Sequence, residues 1–192
     1  KNKTTKSREK VFGANITTRG VENVVVTFND PKDFSKLQSY FDVIVVDAPC
    51  SGSGLFRKDN DAIEEWSEEN VMHCSQRQQR ILSDIYSSLK KDGILIYSTC
   101  SYSKEEDETI CDWLVSNYQL STVECLLPTE YGIVETVSDK GAYGYRFYPY
   151  HIRGEGFFIA AFNKNEGEGT YFRPSPIPSA SKNEIEFVRQ WV

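Results

Sequence analysis

The sequence is poor in several residues and patterns that identify common protein classes. Its 192 residues include two histidines and one methionine, Met72. No apolar run approaches the roughly 18 residues of a membrane-spanning helix, and no signal-peptide pattern opens the chain. The five cysteines contain no Cys-x-x-Cys pair, so no zinc site is predicted. An odd number of cysteines favours free thiols, and we expect a cytoplasmic protein without membrane or metal.

Positive charge is also in the minority. There are 22 Lys and Arg residues against 28 Asp and Glu, which gives a net charge of −6. This balance excludes nucleic-acid binding by bulk positive charge, although a local basic patch stays compatible with it. Hydrophobic residues make up 39% of the sequence and aromatic residues 13%, enough for one packed domain with or without a tail.

Several catalytic signatures are absent. There is no Gly-x-Ser-x-Gly segment, so a serine hydrolase is not supported. Gly52-Ser53-Gly54 lacks the third glycine of a dinucleotide-binding loop, and no Gly-Lys-Ser/Thr follows it. Arg57 lies one position too far from Cys50 for a phosphatase loop.

Short Val- and Ile-rich segments alternate with helical patterns over the first two thirds of the chain. The predicted strands cover residues 23–27, 41–46 and 94–97, and the predicted helices cover 7–19, 33–39, 67–90 and 103–117. Such strands predict a parallel α/β sheet covered on both faces. The charged run at 104–108 is interpreted as the solvated first turn of the last helix.

The pattern changes after Pro128. Short aromatic-rich segments predict further β structure, most clearly at 156–162. The stretch from residue 164 is rich in Gly, Ser and Pro, and we interpret it as a linker that leads to a small helix at 182–191.

Polar or reactive residues follow three of the predicted strands. Asp30 follows the first, Asp47 and Cys50 the second, and Cys100 the third. Ligands bind beyond the carboxyl ends of parallel strands, and strands joined by one helical crossover are often neighbours. We therefore expect both cysteines to project into one cleft, with the Asp47 carboxylate beside them.

Two motifs together resemble the Sun family of RNA (cytosine-5) methyltransferases. They are Asp-Ala-Pro-Cys-Ser-Gly-Ser-Gly at 47–54 and Ser-Thr-Cys-Ser at 98–101. The resemblance covers about residues 7–163, including Arg-Phe-Tyr-Pro at 146–149 and Gly-Glu-Gly-Phe-Phe at 154–158. It implies a Rossmann-like class I methyltransferase fold, incomplete at its N-terminus, with later parallel strands and an antiparallel β edge.

The resemblance also implies a chemistry. By its motifs Cys100 is the nucleophile that adds to carbon 6 of cytosine, and Cys50 assists breakdown of the covalent adduct. Asp47 is implied to hydrogen-bond the flipped cytosine. Asp30, Asp47 and Pro49 are implied to contact the cofactor, S-adenosylmethionine.

The implied substrate is RNA, with ribosomal RNA favoured over transfer RNA. Arg57 and Lys58 are candidate contacts to RNA phosphate, with solvated surface charge as the alternative. Asp30 has the alternative of a turn residue before Pro31. Tyr148 and Tyr150 are interpreted as β-face packing more than as base-stacking residues.

The beginning of the chain departs from the family pattern. The family's glycine-rich cofactor turn and ribose-binding acid are not found, so we expect residues 1–163 to be the C-terminal part of the catalytic domain, with apolar sheet edges open. Residues 164–192 are expected to be the linker and the start of a C-terminal extension. The alternative from another class is a non-catalytic RNA- or ribosome-binding module derived from the same fold.

Overall fold

The computed structural model describes residues 23–167 and 181–189. The helix predicted at 7–19 and most of the predicted linker lie outside the described residues. At the far end of the described part, helix α4 (Lys182–Arg189) lies where the small terminal helix was predicted.

The described residues contain one mixed sheet and a few helices. The strands are β1 (Phe41–Asp47), β2 (Leu89–Thr99), β3 (Leu120–Thr122), β4 (Val134–Val137), β5 (Tyr143–Phe147) and β6 (Phe157–Lys164). The α-helices that precede α4 are α1 (Asn60–Glu65), α2 (Glu68–Tyr86) and α3 (Glu108–Asn117), and short 3₁₀ helices include Pro31–Lys36 and Lys104–Glu106. The strand order is β1-β2-β6-β5-β4, and β3 also pairs with β6.

Strands β1 and β2 are parallel, whereas β6, β5, β4 and β3 join the sheet in antiparallel fashion. This arrangement confirms the prediction of parallel strands followed by an antiparallel β edge. It also brings the carboxyl ends of β1 and β2 side by side, since Asp47 is paired with Ser98.

Helix α2 connects these two parallel strands. It begins after Ser67, whose Oγ accepts a hydrogen bond from the Asn70 amide at 3.1 Å, and acidic residues occupy its first turn, where the helix dipole favours them. It ends at Tyr86, four residues earlier than predicted, because Leu89 already belongs to β2. Asp92 takes a left-handed conformation (φ 61°) where β2 bulges opposite β1.

The core lies on one face of β1 and β2, beneath helices α2 and α3. It includes Val46, Leu95 and Tyr97 from the strands together with Leu82 and Ile110 from the helices, all of them buried. Burying each such aliphatic side chain contributes about 1.5–3 kcal/mol. This packing fixes β1 and β2 against the helices and so fixes the loops at their carboxyl ends.

The opposite face of β1 is open in the part of the chain that the structure describes. Val43 is 50% exposed and Val45 is 63% exposed, and β1 forms the edge of the sheet. The expectation of open apolar edges is therefore met. The expectation of a sheet covered on both faces is wrong for this strand within the described residues.

The strand predicted at 23–27 is not formed. Val25 is 87% exposed, and the segment belongs to no strand of the sheet. The run of valines predicted a buried strand because it contains no polar residue. A strand also needs a hydrogen-bonding neighbour, and none of residues 23–167 and 181–189 provides one here.

Candidate active site

The ends of β1 and β2 bring two cysteines together. Cys50 follows β1 and Cys100 follows β2, and the loop of Cys50 is held to β2 by a hydrogen bond from the Ala48 amide to the Ser98 carbonyl (2.9 Å). The two Sγ atoms lie 3.0 Å apart, and both thiols are free and half-buried. The predicted convergence of the two cysteines is present.

The pKa values of the two thiols are shifted in opposite directions. A hydrogen bond from the Cys50 thiol to the Cys100 sulfur lowers the pKa of Cys100, while burial and the nearby Asp47 carboxylate act in the other direction. The same hydrogen bond, together with burial, raises the pKa of Cys50 far above its ordinary value. The pair therefore favours a Cys100 thiolate that is stabilised by a protonated Cys50.

A buried carboxylate ties the two cysteine loops together. Glu106 Oε1 accepts hydrogen bonds from the Ser51 amide (2.9 Å) and from Gln78 Nε2 (3.0 Å). Its Oε2 accepts from the hydroxyl groups of Ser51 and of Ser101, the latter at 2.7 Å. Ser51 follows Cys50 and Ser101 follows Cys100, so one carboxylate fixes the positions of both loops relative to each other.

Gln78 reinforces this connection from helix α2. Its Nε2 also donates to the Pro49 carbonyl at 3.1 Å, and its Oε1 accepts from the Tyr97 hydroxyl at 3.0 Å. Gln78 and Tyr97 are fully buried. The Tyr97 hydroxyl oxygen also lies 2.6 Å from the Glu106 carbonyl oxygen, so its single proton is shared between this carbonyl and Gln78 Oε1, and the helix, β2 and both loops meet in one hydrogen-bond network.

Two further acids lie beside Glu106 and share Arg146 of β5. Arg146 Nε donates to Glu108 Oε1 at 2.8 Å, and Nη2 lies 3.0 Å from Asp107 Oδ2 without a well-aligned hydrogen bond to that oxygen. Asp107 also accepts a hydrogen bond from the Thr99 hydroxyl at 2.7 Å. Burial would raise the pKa of Glu108, but the Arg146 hydrogen bonds hold it below its ordinary value. Burial raises the pKa of Asp107 to about 8.

The interpretation of residues 104–108 as a solvated first turn is wrong for the three acids at its end. Glu106 and Asp107 are fully buried and Glu108 is 7% exposed, whereas Lys104 and Glu105 are exposed. The chain enters α3 through a short 3₁₀ helix, which turns these acids inward toward Arg146 and the cysteine loops.

Two glycines allow the cysteine loop to approach the loop before β6. The Gly54 amide donates to the Cys100 carbonyl at 2.8 Å, and the Gly156 amide donates to the Gly54 carbonyl at 3.0 Å. A Cβ atom at position 54 would lie 2.7 Å from the Cys100 carbonyl oxygen, so a side chain does not fit there. Gly52, at φ 78°, makes the turn that precedes this contact.

The cysteine loops border an open cavity of about 780 Å³. Its lining includes Asp47, Arg57, Cys100, Gly156 and Phe157. Arg57 donates to the Gly154 carbonyl at 2.6 Å, and Lys58 forms an exposed ion pair with Glu155 at 2.6 Å. Both predicted RNA-contacting cations therefore lie at this cavity and are engaged with the loop before β6.

A second cavity, of about 420 Å³, runs along the free edge of β1. Its wall is mostly apolar and includes Pro31, Phe34 and Pro49, and Asp47 lines this cavity as well as the first. Asp30, which precedes the lining residue Pro31 in the sequence, caps the Pro31–Lys36 helix by accepting a hydrogen bond from the Lys32 amide at 3.2 Å. The structure thus gives Asp30 the turn-capping contact that was the alternative to a cofactor role.

Sequence reasoning missed Glu106, Asp107, Glu108, Gln78 and Arg146. One signal was available for Gln78, because its spacing places a polar residue on the apolar face of α2. For the acids the only signal was three consecutive carboxylates directly after a cysteine loop, a pattern that a solvated turn also produces.

The described ranges contain no cluster of three or more His, Cys, Asp or Glu side chains arranged to hold a metal ion. Within the same ranges, no helix combines the length and the apolar character needed to cross a membrane.

Comparisons with known proteins agree with the geometry. The family model described as 16S rRNA methyltransferase RsmB/F matches residues 2–163. A ribosomal RNA small subunit methyltransferase F of Psychromonas ingrahamii is 38% identical over 167 residues, which are 86% of this chain and 34% of the relative. The protein of the same name from Aeromonas salmonicida is 35% identical over 189 residues, 93% of this chain and 39% of the relative. The chain thus spans little more than a third of these relatives.

Solved structures share the fold. NSun6 from Pyrococcus horikoshii, solved with SFG, has a TM-score of 0.71 and 26% identity, over 85% of this chain and 40% of that one. A methyltransferase homolog protein from the same organism has a TM-score of 0.62 and 31% identity, over 83% of this chain and 50% of that one. The predicted class I methyltransferase fold is confirmed. The chain belongs to the 16S rRNA methyltransferase RsmB/F family.

Proposed function

We propose that the protein transfers a methyl group from S-adenosylmethionine to carbon 5 of a cytosine in RNA, through a covalent bond between Cys100 and the base. Ribosomal RNA is the proposed substrate, since the family and the named relatives are ribosomal RNA methyltransferases, and transfer RNA is the alternative. The proposed location is the cytoplasm, where such RNA is found.

One observation carries the proposal, namely the pair of free thiols 3.0 Å apart at neighbouring strand ends. Carbon 5 of cytosine is a weak nucleophile. When the Cys100 thiolate adds to carbon 6, the electron pair of the 5,6 double bond becomes available at carbon 5 for a new bond to the methyl group. A lowered pKa of Cys100 supports this role, because the thiolate is the attacking species.

Release of the product requires that the bond between the Cys100 sulfur and carbon 6 is broken again. A water molecule in the open cavity takes the proton from carbon 5, the electron pair of that C–H bond forms the 5,6 double bond again, and the Cys100 thiolate leaves carbon 6 with the electron pair of the C–S bond. Cys50 is proposed to assist this step, since its protonated thiol can donate a hydrogen bond to the departing sulfur. Asp47 is proposed to hydrogen-bond the cytosine ring, and its place in the lining of the Cys100 cavity supports that role.

The residues along the free edge of β1 fit the cofactor. The apolar wall of the second cavity suits an adenine ring, and the Asp47 carboxylate suits the positive charge of S-adenosylmethionine. Asp30, Asp47 and Pro49 are proposed to hold it. When bound, the cofactor supplies the methyl group.

The matching SFG-bound structure of NSun6 from Pyrococcus horikoshii supports this assignment, because SFG is an analogue of S-adenosylmethionine. Arg57 and Lys58 are proposed to face RNA phosphate at the mouth of the Cys100 cavity.

Trapping of the covalent adduct tests the proposal. In the full natural protein, Cys50→Ala should accumulate an RNA–protein adduct, since Cys100 still adds to the base while release is impaired. Cys100→Ala should form none. Denaturing gels with labelled ribosomal RNA and, in parallel, labelled transfer RNA measure the adduct and identify the substrate class.

Cys125→Ala is the matched control, because Cys125 is a half-buried free thiol that lines neither cavity. It should behave like the unaltered protein. Absence of an adduct for Cys50→Ala with both RNAs would overturn the enzymatic proposal. If RNA binding persisted in that case, the protein would be a non-catalytic RNA-binding module.

A further inference from the structure

We infer that three tyrosines beside the cysteine cleft form a platform on which the base next to the target cytosine stacks. Tyr102, Tyr148 and Tyr150 are called here the tyrosine ladder. The inference rests on the proposed function, since its ligand is single-stranded RNA.

Adjacent rings of the ladder contact each other. The centroids of Tyr102 and Tyr148 are 5.6 Å apart with an interplanar angle of 31°. Those of Tyr148 and Tyr150 are 5.2 Å apart at 17°. The outer pair is stacked and the inner pair is tilted, and both centroid distances lie in the range of interacting aromatic rings. The ladder therefore extends from a residue two positions after Cys100 outward to the surface.

The outer end of the ladder is exposed, in contrast to the rings of the sheet behind it. Tyr145 is 2% exposed and Phe158 is fully buried, whereas Tyr150 is 74% exposed. Core packing explains the aromatic rings of Tyr145 and Phe158, but it does not explain the ring of Tyr150, which is exposed to solvent. Because Tyr150 already rests on Tyr148, a base that stacks on it would cost little additional side-chain entropy.

The inner end of the ladder is fixed to the wall of the Cys100 cavity. A Cβ atom at Gly156 would overlap the Tyr102 ring, so the close approach of this ring requires glycine. Arg57 donates to the Pro149 carbonyl at 3.4 Å and to the Gly154 carbonyl at 2.6 Å, which holds the loop that carries Tyr150 at both ends. The platform is therefore held in place before any ligand arrives.

An RNA base has the chemistry that such a platform recognises. A cytosine that leaves its stack to reach Cys100 deprives the neighbouring base of a stacking partner, and an exposed aromatic ring on the loop held by Arg57 of the cavity wall can replace that partner. The positive charges of Arg57 and the exposed Arg153 beside the ladder suit the phosphate backbone. Stacking uses the face of the base, so the ladder favours unpaired nucleotides of any sequence.

The experiment measures stacking directly in the full natural protein. The probe is a short single-stranded RNA with one cytosine and, next to it, 2-aminopurine, whose fluorescence is quenched when it stacks. The unaltered protein should quench the probe. Tyr150→Ala should abolish most of the quenching and weaken binding roughly tenfold, while Tyr150→Phe keeps the ring and retains both. Tyr40→Ala is the matched control, since Tyr40 is 41% exposed at the opposite end of β1.

The outcomes separate this inference from the proposed function. Suppose that Cys50→Ala forms the adduct, so that the proposed function holds. If the Tyr150→Ala protein then still quenches and binds the probe as the unaltered protein does, the ladder does not stack a base and the inference is overturned. If no adduct forms with any RNA, the proposed function fails and the inference fails with it. An equal loss of binding in Tyr40→Ala would also overturn it, because the effect would then not belong to the ladder.

Discussion

The cysteine pair separates two regions that differ in how their polar groups are satisfied. On the inner side, Glu106, Asp107, Glu108 and Arg146 are buried and bonded mainly to one another and to the cysteine loops. On the outer side, the charged and aromatic groups around Tyr150 and Lys58 are exposed. The difference indicates that the inner region holds the thiols in place, and that the outer region is left open for a ligand.

Removal of Arg146 should have the largest effect on stability, and it tests the difference between the inner and outer regions. Arg146→Met leaves the buried Glu108 carboxylate without its partner, and the free energy of unfolding should fall by about 3–5 kcal/mol. Lys58→Met removes an exposed, solvent-screened ion pair of the outer region and should lower the free energy of unfolding far less than Arg146→Met does. Denaturant unfolding measures both.

If Arg146→Met does not fold, Arg146→Lys is used for the same unfolding measurement. It keeps the charge but loses the two-pronged contact to Glu108, so its unfolding free energy should lie between the values of the unaltered protein and of Arg146→Met. Equal losses for Arg146→Met and Lys58→Met would show that the two regions do not differ.

Glu106→Gln should have the next largest effect. The Glu106 carboxylate accepts four hydrogen bonds, one from the Ser51 amide and three from side chains, and an amide group cannot accept at both of its terminal atoms. We expect a loss of about 1–3 kcal/mol in stability, together with slower adduct formation, because the two cysteine loops lose their shared anchor.

Glu105→Gln is the matched control for Glu106→Gln, since Glu105 is its exposed neighbour and should tolerate the change. Diamide oxidation to a Cys50–Cys100 disulfide gives a readout that is independent of RNA. Its rate should fall in Glu106→Gln alone. An unchanged rate would contradict the role of Glu106 in aligning the loops.

A pH dependence also belongs to the inner region. The pKa of Asp107 is about 8 in the folded protein, against an ordinary value of 3.8. Between these values the folded carboxyl retains a proton that the unfolded one has lost, so its contribution to stability falls as the pH rises, by up to about 1.4 kcal/mol per pH unit.

The pH dependence levels off above about pH 8, where the folded carboxyl is also ionised. Asp107→Asn removes the titration. The stability of the unaltered protein relative to Asp107→Asn should therefore decrease between pH 5 and 8, which urea unfolding at several pH values measures. A difference that is constant across this range would show that Asp107 does not titrate there.

The sequence was sufficient where a local pattern determines the structure. The capping of α2 by Ser67, the apolar strand β1 and the convergence of Cys50 and Cys100 follow from residue spacing and from the rule that strand ends meet at one edge. The 23–27 segment was mispredicted because strand formation depends on a neighbour, which a local pattern does not contain.

The buried acids were mispredicted for a related reason. Whether Glu108 faces solvent or the core depends on Arg146, which lies 38 residues after it in the sequence and meets it only across the folded sheet. Glu106 depends in the same way on Ser51 and Gln78, which lie 55 and 28 residues before it. The pairing of buried polar groups with partners that are distant in the sequence is a property of the tertiary structure, and it cannot be predicted from the charge pattern along the chain.

The contact between Gly54 and the loop before β6 has a consequence for the order in which the molecule is made. During synthesis from the N-terminus, Cys50, Cys100 and Glu106 emerge before the segment that closes the cavity. The hydrogen bond from Arg57 to Gly154 spans 97 residues of sequence, so the closing segment is synthesised well after the cysteine loops. A nascent chain that has not yet reached Gly156 therefore carries both thiols without the wall that limits access to them, and its cysteines should be more open to alkylation than those of the finished protein.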